Sequence, residues 1–476
     1  MTIELRSYQE QYVAELRRAF AAGNRSVCGV AATGAGKTVV SAFIAKSAMD
    51  MGNRVMFTVH RKELLEQTSR TFREFGIPHG FIIAGKPYDR SELVHIASVD
   101  TLRNHIESVA LPNLLVADEC HLSLSKTQVD IINRVKAARG KILGNTGSPL
   151  RLDGKPMADI FDCLVNGPST GELIRSGFLS DYIYLAPPGA DLSGIKKSRG
   201  DYAKGELAER CDTRTLLGDI VRHWKRHALG RRTICFAVSH AHADHICESF
   251  RASGITAERI GSDTPQPKRR EMIGRFADGE LSILANVELI TTGFDLASQV
   301  GRDVTVEAII MARPTMSLAL CLQMWGRVLR RKPDPAIILD HAGNSLRHGW
   351  PDDEREWSLD GGERKSSEKA EVPPPVTCET CYRQSRRPLP PVCVHCGSPW
   401  PMSQRARDIS EDNSVELQVV TKEEREKQRE EAARDRRREE SKCKSLEDLQ
   451  ELGKLRGYKD GWATHRWAAR QGRSHV

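Results

Sequence analysis

Ala31-Ala-Thr-Gly-Ala-Gly-Lys-Thr38 is the stretch on which the reading of this chain turns. It lies between a short apolar run at 27–32 and an amphipathic stretch at 39–51, so a buried strand runs into a loop that opens a helix. Gly34 and Gly36 let the backbone turn until successive N–H groups point inward, and the helix N-terminus adds partial positive charge. Thr33, Gly34, Ala35 and Gly36 therefore form a predicted cradle for phosphate oxygens. Lys37 is placed to reach the β- and γ-phosphates of a nucleotide, and the Thr38 hydroxyl to ligate magnesium. Ala31 stands where the strict pattern begins with Gly.

Further short apolar runs follow at 54–59, 114–117, 141–144, 182–186, 233–238, 282–285, 306–311 and 336–339, separated by amphipathic stretches such as 62–75. Unbroken apolar runs are the mark of strands covered on both faces, and their alternation with helices implies right-handed crossovers in doubly wound parallel sheets. An α/β fold with two such sheets is predicted, joined near 177–181. The chain's 476 residues are too many for one ordinary core, which agrees with two large domains plus appendages. No run is long or apolar enough to cross a bilayer, and residues 1–11 lack the apolar middle of a secretory signal, so no membrane association and a cytoplasmic location are expected. The formal charge of +8 is compatible with a polyanionic partner.

Leu114-Leu-Val-Ala-Asp-Glu-Cys-His121 places two carboxylates directly after a buried strand, at the sheet edge where open α/β folds bind ligands. Asp118 is suited to hold magnesium together with Thr38. Glu119 is suited to orient and deprotonate a water attacking the γ-phosphate.

With these residues in view, the chain resembles the superfamily 2 helicases. Asp118-Glu-Cys-His121 looks like their D-E-x-H box, and the other motifs appear in order. Leu5-Arg-Ser-Tyr-Gln9 resembles the upstream glutamine motif, which implies that Gln9 pairs with the adenine edge. Thr58-Val-His-Arg-Lys-Glu-Leu-Leu-Glu-Gln67 resembles motif Ia, and Ser98-Val-Asp-Thr-Leu102 the strand-contact motif that follows it. Thr146-Gly-Ser-Pro149 stands where the family has T-A-T-P. Residues 233–239 fit motif IV, Thr291-Thr-Gly-Phe-Asp295 motif V, and Gln323-Met-Trp-Gly-Arg-Val-Leu-Arg330 motif VI.

The resemblance covers roughly residues 1–345. It implies two RecA-like P-loop domains with ATP bound between them, contacted also by Gly293 and Asp295. Gln323, Arg327 and Arg330 would then act from the second domain. Arg327 and Arg330 lie one helical turn apart, and planar, permanently charged guanidinium groups suit the charge that develops on a transferring phosphoryl group. His60, Arg61, Ser98, Thr101, Ser239 and Thr292 are implied contacts to a nucleic-acid backbone, with ordinary loop or helix-cap bonding as the other reading of each. Cys120-His121, His60-Arg-Lys-Glu-Leu64 and Gln323-Met-Trp-Gly-Arg327 differ from the RNA-remodelling DEAD-box branch. They look more like the motifs of DNA repair, branch-migration and bacteriophage recombination helicases, which favours DNA and a bacterial or phage-infected cytoplasm. Replication or recombination proteins are expected partners. An RNA helicase and the motor subunit of a restriction-type complex remain the alternatives, and no nuclease constellation follows residue 349.

Cys378-x-x-Cys381 and Cys393-x-x-Cys396 lie eleven residues apart, and two such knuckles offer zinc the four thiolates it prefers. The other eight cysteines are scattered singly, as small buried hydrophobes are. The predicted organisation is a first helicase domain over 1–178, a second over 179–348, a linker over 349–376, a zinc ribbon over 377–400, a charged segment over 401–445 and a small helical element over 446–476. Within the second domain, 187–210 reads as a loop or small insertion. The basic loop of the ribbon and Trp400 leave open whether it grips DNA or replaces a core too small to stand alone. In the tail, Leu446, Leu449, Leu452 and Leu455 share a helical face, and Tyr458, Trp462 and Trp467 follow.

Overall fold

Every apolar run read as a strand is one in the computed structural model, which describes residues 4–60, 62–122, 126–151, 154–187, 195–198, 201–290, 294–360, 375–400, 434, 438–455 and 461–470. The first lobe contains α1 (Ser7–Ala21), β1 (Ser26–Val30), α2 (Lys37–Asp50), β2 (Val55–Val59), α3 (Lys62–Glu74), β3 (Gly80–Ile82), β4 (Val94–Ser98) and α4 (Val99–His105). It continues with β5 (Leu114–Ala117), α5 (Lys126–Ala137), β6 (Lys141–Thr146), β7 (Cys163–Asn166) and α6 (Thr170–Arg175). Its strands form one parallel sheet in the order β3-β4-β2-β5-β6-β1-β7. Alternate residues enter separate cores on the two faces: Val55, Phe57 and Val59 lie in one and Met56 in the other. That two-sided burial is why the strands read as continuous apolar runs.

The second lobe contains β8 (Tyr182–Leu185), β9 (Lys197–Ser198), β10 (Asp201–Tyr202), α7 (Lys204–Cys211), α8 (Arg214–His227), β11 (Thr233–Phe236), α9 (His240–Ala252) and β12 (Ala257–Ile260). α10 (Gln266–Ala277), β13 (Ile283–Asn286), α11 (Leu296–Val300), β14 (Ala308–Met311), α12 (Leu318–Val328), β15 (Ala336–Asp340) and α13 (Asn344–His348) complete it. Its parallel sheet runs β12-β13-β11-β14-β15-β8. One of the hydrophobic cores is continuous through both lobes, joining Leu173 and Leu179 to Tyr184, Trp325 and Leu329.

Two stretches differ from the sequence reading. The insertion after β8 is more than a loop, since it carries the hairpin β9–β10 and helix α7. Leu207 and Cys211 pack against Val238 of the lobe, so the helix borrows its core and shows too short a pattern of its own. Asp201 fastens the hairpin by accepting from the Thr315 hydroxyl at 2.9 Å and the Met316 N–H at 2.7 Å. Residues 350–360, read as the opening of a linker, are packed: Trp350 lies against Tyr182 and Tyr184, and Trp357 and Leu359 pack against the first lobe's core.

The cysteine-bearing segment forms the antiparallel pair β16 (Val376–Thr377) and β17 (Gln384–Ser385). It docks on the second lobe, with the Ala186 N–H donating to the Tyr382 carbonyl at 2.9 Å and Leu185 bridged to Arg383. Residues 402–476 form a separate compact unit. There α14 (Leu446–Leu455) and α15 (Trp462–Arg470) pack together. Leu449 is fully buried and Gly453 leaves room for the Trp462 ring. Tyr458 and most of the charged run at 422–444 lie outside the described residues.

Candidate nucleotide site

β1 delivers the loop at 31–36 to the carboxyl edge of the first sheet. Gly34 and Gly36 adopt φ of 91° and 77°, the left-handed region that glycine enters freely, and Gly36 caps α2. A side chain at Gly36 would also meet Gln9, whose Nε2 lies 2.6 Å from where its Cβ would be. Gln9 in turn donates to the Ala35 carbonyl at 3.3 Å and accepts from the Arg6 N–H at 3.0 Å. The residue expected to read adenine therefore touches the phosphate loop itself. Lys37 bends back over the loop and donates to the Ala31 carbonyl at 3.2 Å. Thr38 follows on the first turn of α2.

β5 brings Asp118 and Glu119 to the same edge. Burial raises the Asp118 carboxyl to about 7, and the Glu119 charge adds to the rise while Lys37 opposes it. Two adjacent carboxylates, one of them buried, are stabilised by a cation, so the pair with Thr38 fits a divalent metal. Glu119 has φ of 44°, uncommon for a side chain other than glycine and a form of local strain that collects at functional sites.

His121 reaches Glu119 at 3.5 Å and the Thr146 hydroxyl at 2.8 Å. That hydroxyl donates to the Ser148 carbonyl at 2.7 Å, so the bond to His121 is one in which Nδ1–H donates. Burial lowers the His121 pKa, which keeps the ring neutral. Through it the acidic pair and the Thr146-Gly-Ser-Pro149 turn form one network. Gly147 of that turn faces the loop, since a Cβ there would lie 3.3 Å from the Thr33 hydroxyl and 3.6 Å from Lys37 Nζ. A side chain at 147 would press on the Thr33 hydroxyl.

From the second lobe, α12 presents Gly326 to the phosphate loop so closely that a Cβ would overlap the Thr33 side chain. Ser317 caps this helix by accepting from the Leu320 N–H at 3.3 Å, and Gln323 is buried along it. Arg327, next to Gly326, donates to the Phe294 carbonyl at 2.8 Å. Arg330 pairs with Asp295 at 2.8 Å. Asp295 also caps α11 through the Ser298 N–H at 2.8 Å, so that residue, expected at the nucleotide, serves as cap and as arginine partner. Arg61, Thr292 and Gly293 lie outside the described residues.

The expected nucleic-acid residues do not share one environment. His60 ends β2 beside Asp100 and within electrostatic reach of His121 and Glu119. Burial lowers its pKa although both carboxylates pull the other way. Ser98 and Thr101 line an interlobe cavity of about 630 Å³ with Arg70, Arg73, Lys86 and Arg270 around it. Thr101 there accepts from the Ala84 N–H at 3.1 Å. Ser239 caps α9, accepting from the His242 N–H at 3.2 Å, which is the helix-cap reading of that residue.

Sequence reasoning missed Tyr8 and Phe178, which stack edge to face at 4.7 Å beside the loop, with Tyr8 donating to the Ala35 carbonyl at 3.3 Å. An aromatic directly before Gln9 was the available signal. It also missed Arg313, buried at the end of β14 between Glu288 at 3.5 Å and Asp201 at 3.7 Å. An arginine after a buried strand was the clue.

The four ribbon cysteines hold their Sγ atoms within 4.8 Å of one another, with separations of 3.6 Å for Cys378–Cys396 and for Cys381–Cys393. A tetrahedral zinc with bonds of about 2.3 Å sets its sulfurs roughly 3.8 Å apart, so the cluster fits the ion. Trp400 packs on this cluster and donates to the Pro390 carbonyl at 2.8 Å, and Arg386 pairs with Asp352 and Asp353. Both side chains have structural partners within the protein.

Residues 2–151 match the family described as Type III restriction enzyme, res subunit, and residues 213–332 match the helicase conserved C-terminal domain. A 51.5 kDa protein of a Lactococcus phage is 31% identical over 387 residues, covering 80% of this chain and 77% of the phage protein.

The chain belongs to the superfamily 2 helicases.

This helicase is similar as well to the Saccharomyces cerevisiae protein described as ATP-dependent helicase IRC3, 27% identical over 363 residues. That alignment covers 72% of the chain and 52% of the yeast protein, so the chain spans about half of its length. Among solved structures, the ATP-dependent Type ISP restriction-modification enzyme LlaBIII bound to DNA has the same fold, with a TM-score of 0.52 at 16% identity. The likeness covers 71% of this chain and 28% of that one. As a member of this family the chain is an ATP-hydrolysing enzyme of the helicase and translocase class. Among the described residues no helix is long and apolar enough to cross a membrane.

Proposed function

We propose that this helicase moves along DNA, driven by ATP hydrolysis between its two lobes. The observation that carries the reading is the contact of Gly326 with Thr33, which sets the arginine-bearing helix of one lobe on the phosphate loop of the other. In this scheme Lys37 grips the β- and γ-phosphates, Gln9 meets the adenine, and Glu119 orients and deprotonates the attacking water. Thr38 and Asp118 would hold magnesium, whose positive charge would offset that of the phosphates. Arg327, adjacent to the contact, stabilises charge on the transferring group when the cleft closes; Arg330, expected one helical turn further along, instead lies past the end of α12, bridged to Leu179.

DNA is favoured over RNA by the motif variants at 60–64, 120–121 and 323–327. It is favoured also by the likeness to a restriction enzyme bound to DNA and to a restriction res-subunit family. The cavity bordered by Ser98, Thr101, Arg70, Arg73 and Lys86 of the first lobe, where Arg270 of the second meets Glu66 at 3.8 Å, carries an excess of basic side chains suited to phosphate tracking with little sequence preference. Zinc in the ribbon would be structural. The same two restriction-type likenesses support a second reading, in which this chain is the motor of a complex whose nuclease is another chain.

An ATPase assay with single-stranded, duplex, forked and four-way DNA and matched RNA tests the proposal. DNA should stimulate hydrolysis, and Glu119→Gln should lower it by about 10²–10⁴ while ATP binding persists. Stimulation by RNA alone would overturn the DNA assignment. Unchanged hydrolysis by Glu119→Gln would overturn the site.

A further inference from the structure

Among the described residues the chain crosses between the lobes twice. The first crossing is the short connection between α6 and β8. The second is residues 350–360, which start on the second lobe and end in the first. Trp350 lies 5.6 Å from the Tyr184 ring, and the Asp352 carbonyl presses on Gly171 of α6, 3.1 Å from where a Cβ would sit. Trp357 and Leu359, partly buried, pack against the first lobe's core, and the Leu359 carbonyl accepts from the Met157 N–H at 2.6 Å and the Ala158 N–H at 3.0 Å. Arg355 fixes the bend between these ends by donating to the carbonyls of His348 at 2.8 Å, Trp350 at 2.9 Å and Asp353 at 3.0 Å.

This strap runs beside the nucleotide cleft. A cavity of about 60 Å³ has Thr33 of the phosphate loop, Gly326 of α12, and Asp353 and Arg355 of the strap in its walls. The strap is also gripped from outside. Arg386 of the ribbon bonds Asp352 at 2.8 and 3.1 Å and Asp353 at 2.5 Å, with its guanidinium 4.9 Å above the Trp350 ring. Burial alone would raise the Asp352 carboxyl, but Arg386 and the Tyr182 hydroxyl outweigh it and hold it below the usual carboxylate range.

We propose that residues 350–360 form a second hinge between the lobes, and that Arg386 is a positioning residue for ATP hydrolysis, acting through this strap on the register of α12 against the phosphate loop. A single connection lets two bodies rotate about any axis, whereas two leave mainly the line that joins them. Restricting the motion in this way returns Arg327 to one place at every closure, and displacement of a reacting group by about 1 Å is enough to cost roughly a hundredfold in rate. The ribbon thereby gains a mechanical task beyond covering a sheet edge. The inference rests on the interlobe ATP site proposed above.

The test uses the full chain and reads both amide exchange and steady-state ATP hydrolysis. Arg386→Ala should speed exchange at the Met157 and Ala158 amides by about tenfold or more, with β11 unchanged, because local opening of the strap is uncoupled from global unfolding. It should lower kcat of the nucleic-acid-stimulated ATPase by roughly ten- to a hundredfold, with little change in KM for ATP. The exchange of charges in Asp352→Arg with Arg386→Asp should recover most of both. Trp357→Ala, which frees the strap from the first lobe without touching the ribbon, should reproduce the kcat loss. Wild-type exchange at Met157 and Ala158 in Arg386→Ala, or wild-type kcat in Trp357→Ala, would overturn the proposal, as would a rise in KM alone. If the unaltered chain hydrolyses no ATP, the interlobe site fails, and the exchange measurement still decides whether the ribbon holds the strap.

Discussion

In the first lobe the strands lie in the order β3-β4-β2-β5-β6-β1-β7, and in the second β12-β13-β11-β14-β15-β8, so each strand but β7 has a counterpart in the other lobe. The equivalent ends carry opposite equipment. After β5 come Asp118 and Glu119, whereas after β14 comes Arg313, held by Glu288 and Asp201. After β1 comes the phosphate loop, whereas after β8 the chain receives the ribbon, with Ala186 bonded to Tyr382. β7 covers the outer side of β1, and the Leu185–Arg383 bridge does the same for β8. One lobe thus offers a site for phosphate and cation, and the other offers guanidinium groups and a mechanical seat. Duplicated topology fixes where a site can be, and the residues at the strand ends fix which half each lobe supplies.

That division can be broken most sharply at Arg327. Its replacement by Ala should lower ATP hydrolysis by about 10³–10⁵, the range associated with arginines that meet a transferring phosphoryl group. A loss below tenfold, measured at saturating ATP, would mean that the second lobe contributes motion and no charge.

The ribbon's seat on β8 comes next. Its core consists of the cysteines and Trp400, too little to stand without a metal. Cys393→Ser should therefore open the segment at 375–400 to protease and lower the melting temperature by about 2–4 °C for each kcal/mol of packing lost. A resistant ribbon with unchanged melting would show that the β8 edge does not depend on it.

Acid sharpens the same seam. Burial lowers His341 to about 3 from its ordinary 6.5, and its ring stacks on His223, which in turn meets Tyr382. Between those two pH values the unfolded chain takes a proton that the folded chain refuses. Stability should then fall as pH drops below 6.5, by up to about 1.4 kcal/mol per pH unit for this one group. Calorimetry from pH 7 to 5 on His341→Phe should give a shallower slope than the unaltered chain. Equal slopes would remove His341 from the account.

Ser239→Ala carries the smallest effect. As the cap of α9 it should cost about 1 kcal/mol of stability and leave DNA affinity unchanged. A clear fall in affinity at low salt would restore Ser239 as a backbone contact.

The loop at 31–38, the pair Asp118–Glu119, the motif VI helix and the cysteine quartet were all legible because each needs particular residue types at fixed local spacing. The main strands were legible because burial on both faces makes them apolar throughout. β3, β4, β7 and β12 were not read, and β12 carries Glu258 and Arg259 in its middle. It stands at the sheet edge, where Glu258 finds Arg275 at 2.5 Å and Arg259 finds Asp244 at 2.9 Å, and such pairing between distant segments leaves no periodic trace. The packing of 350–360 was hidden for the same reason, since Asp352 and Asp353 are satisfied by Arg386 and Arg355 by the carbonyls of His348, Trp350 and Asp353, and its large apolar residues are only Trp350, Trp357 and Leu359.

By itself the sequence determined the class of molecule: two wound sheets, a nucleotide loop, an acidic pair, an arginine helix and a thiolate cluster. Tertiary structure decided how these parts engage. It showed that Gly326 meets Thr33, that Ser239 and Asp295 act as caps, that Trp400 and Arg386 face the protein, and that the segment after α13 turns back to the first lobe. The division has a physical cause. Phosphate and metal chemistry is specified by neighbours along the chain, while the fit of one lobe to the other depends on surfaces brought together from positions hundreds of residues apart.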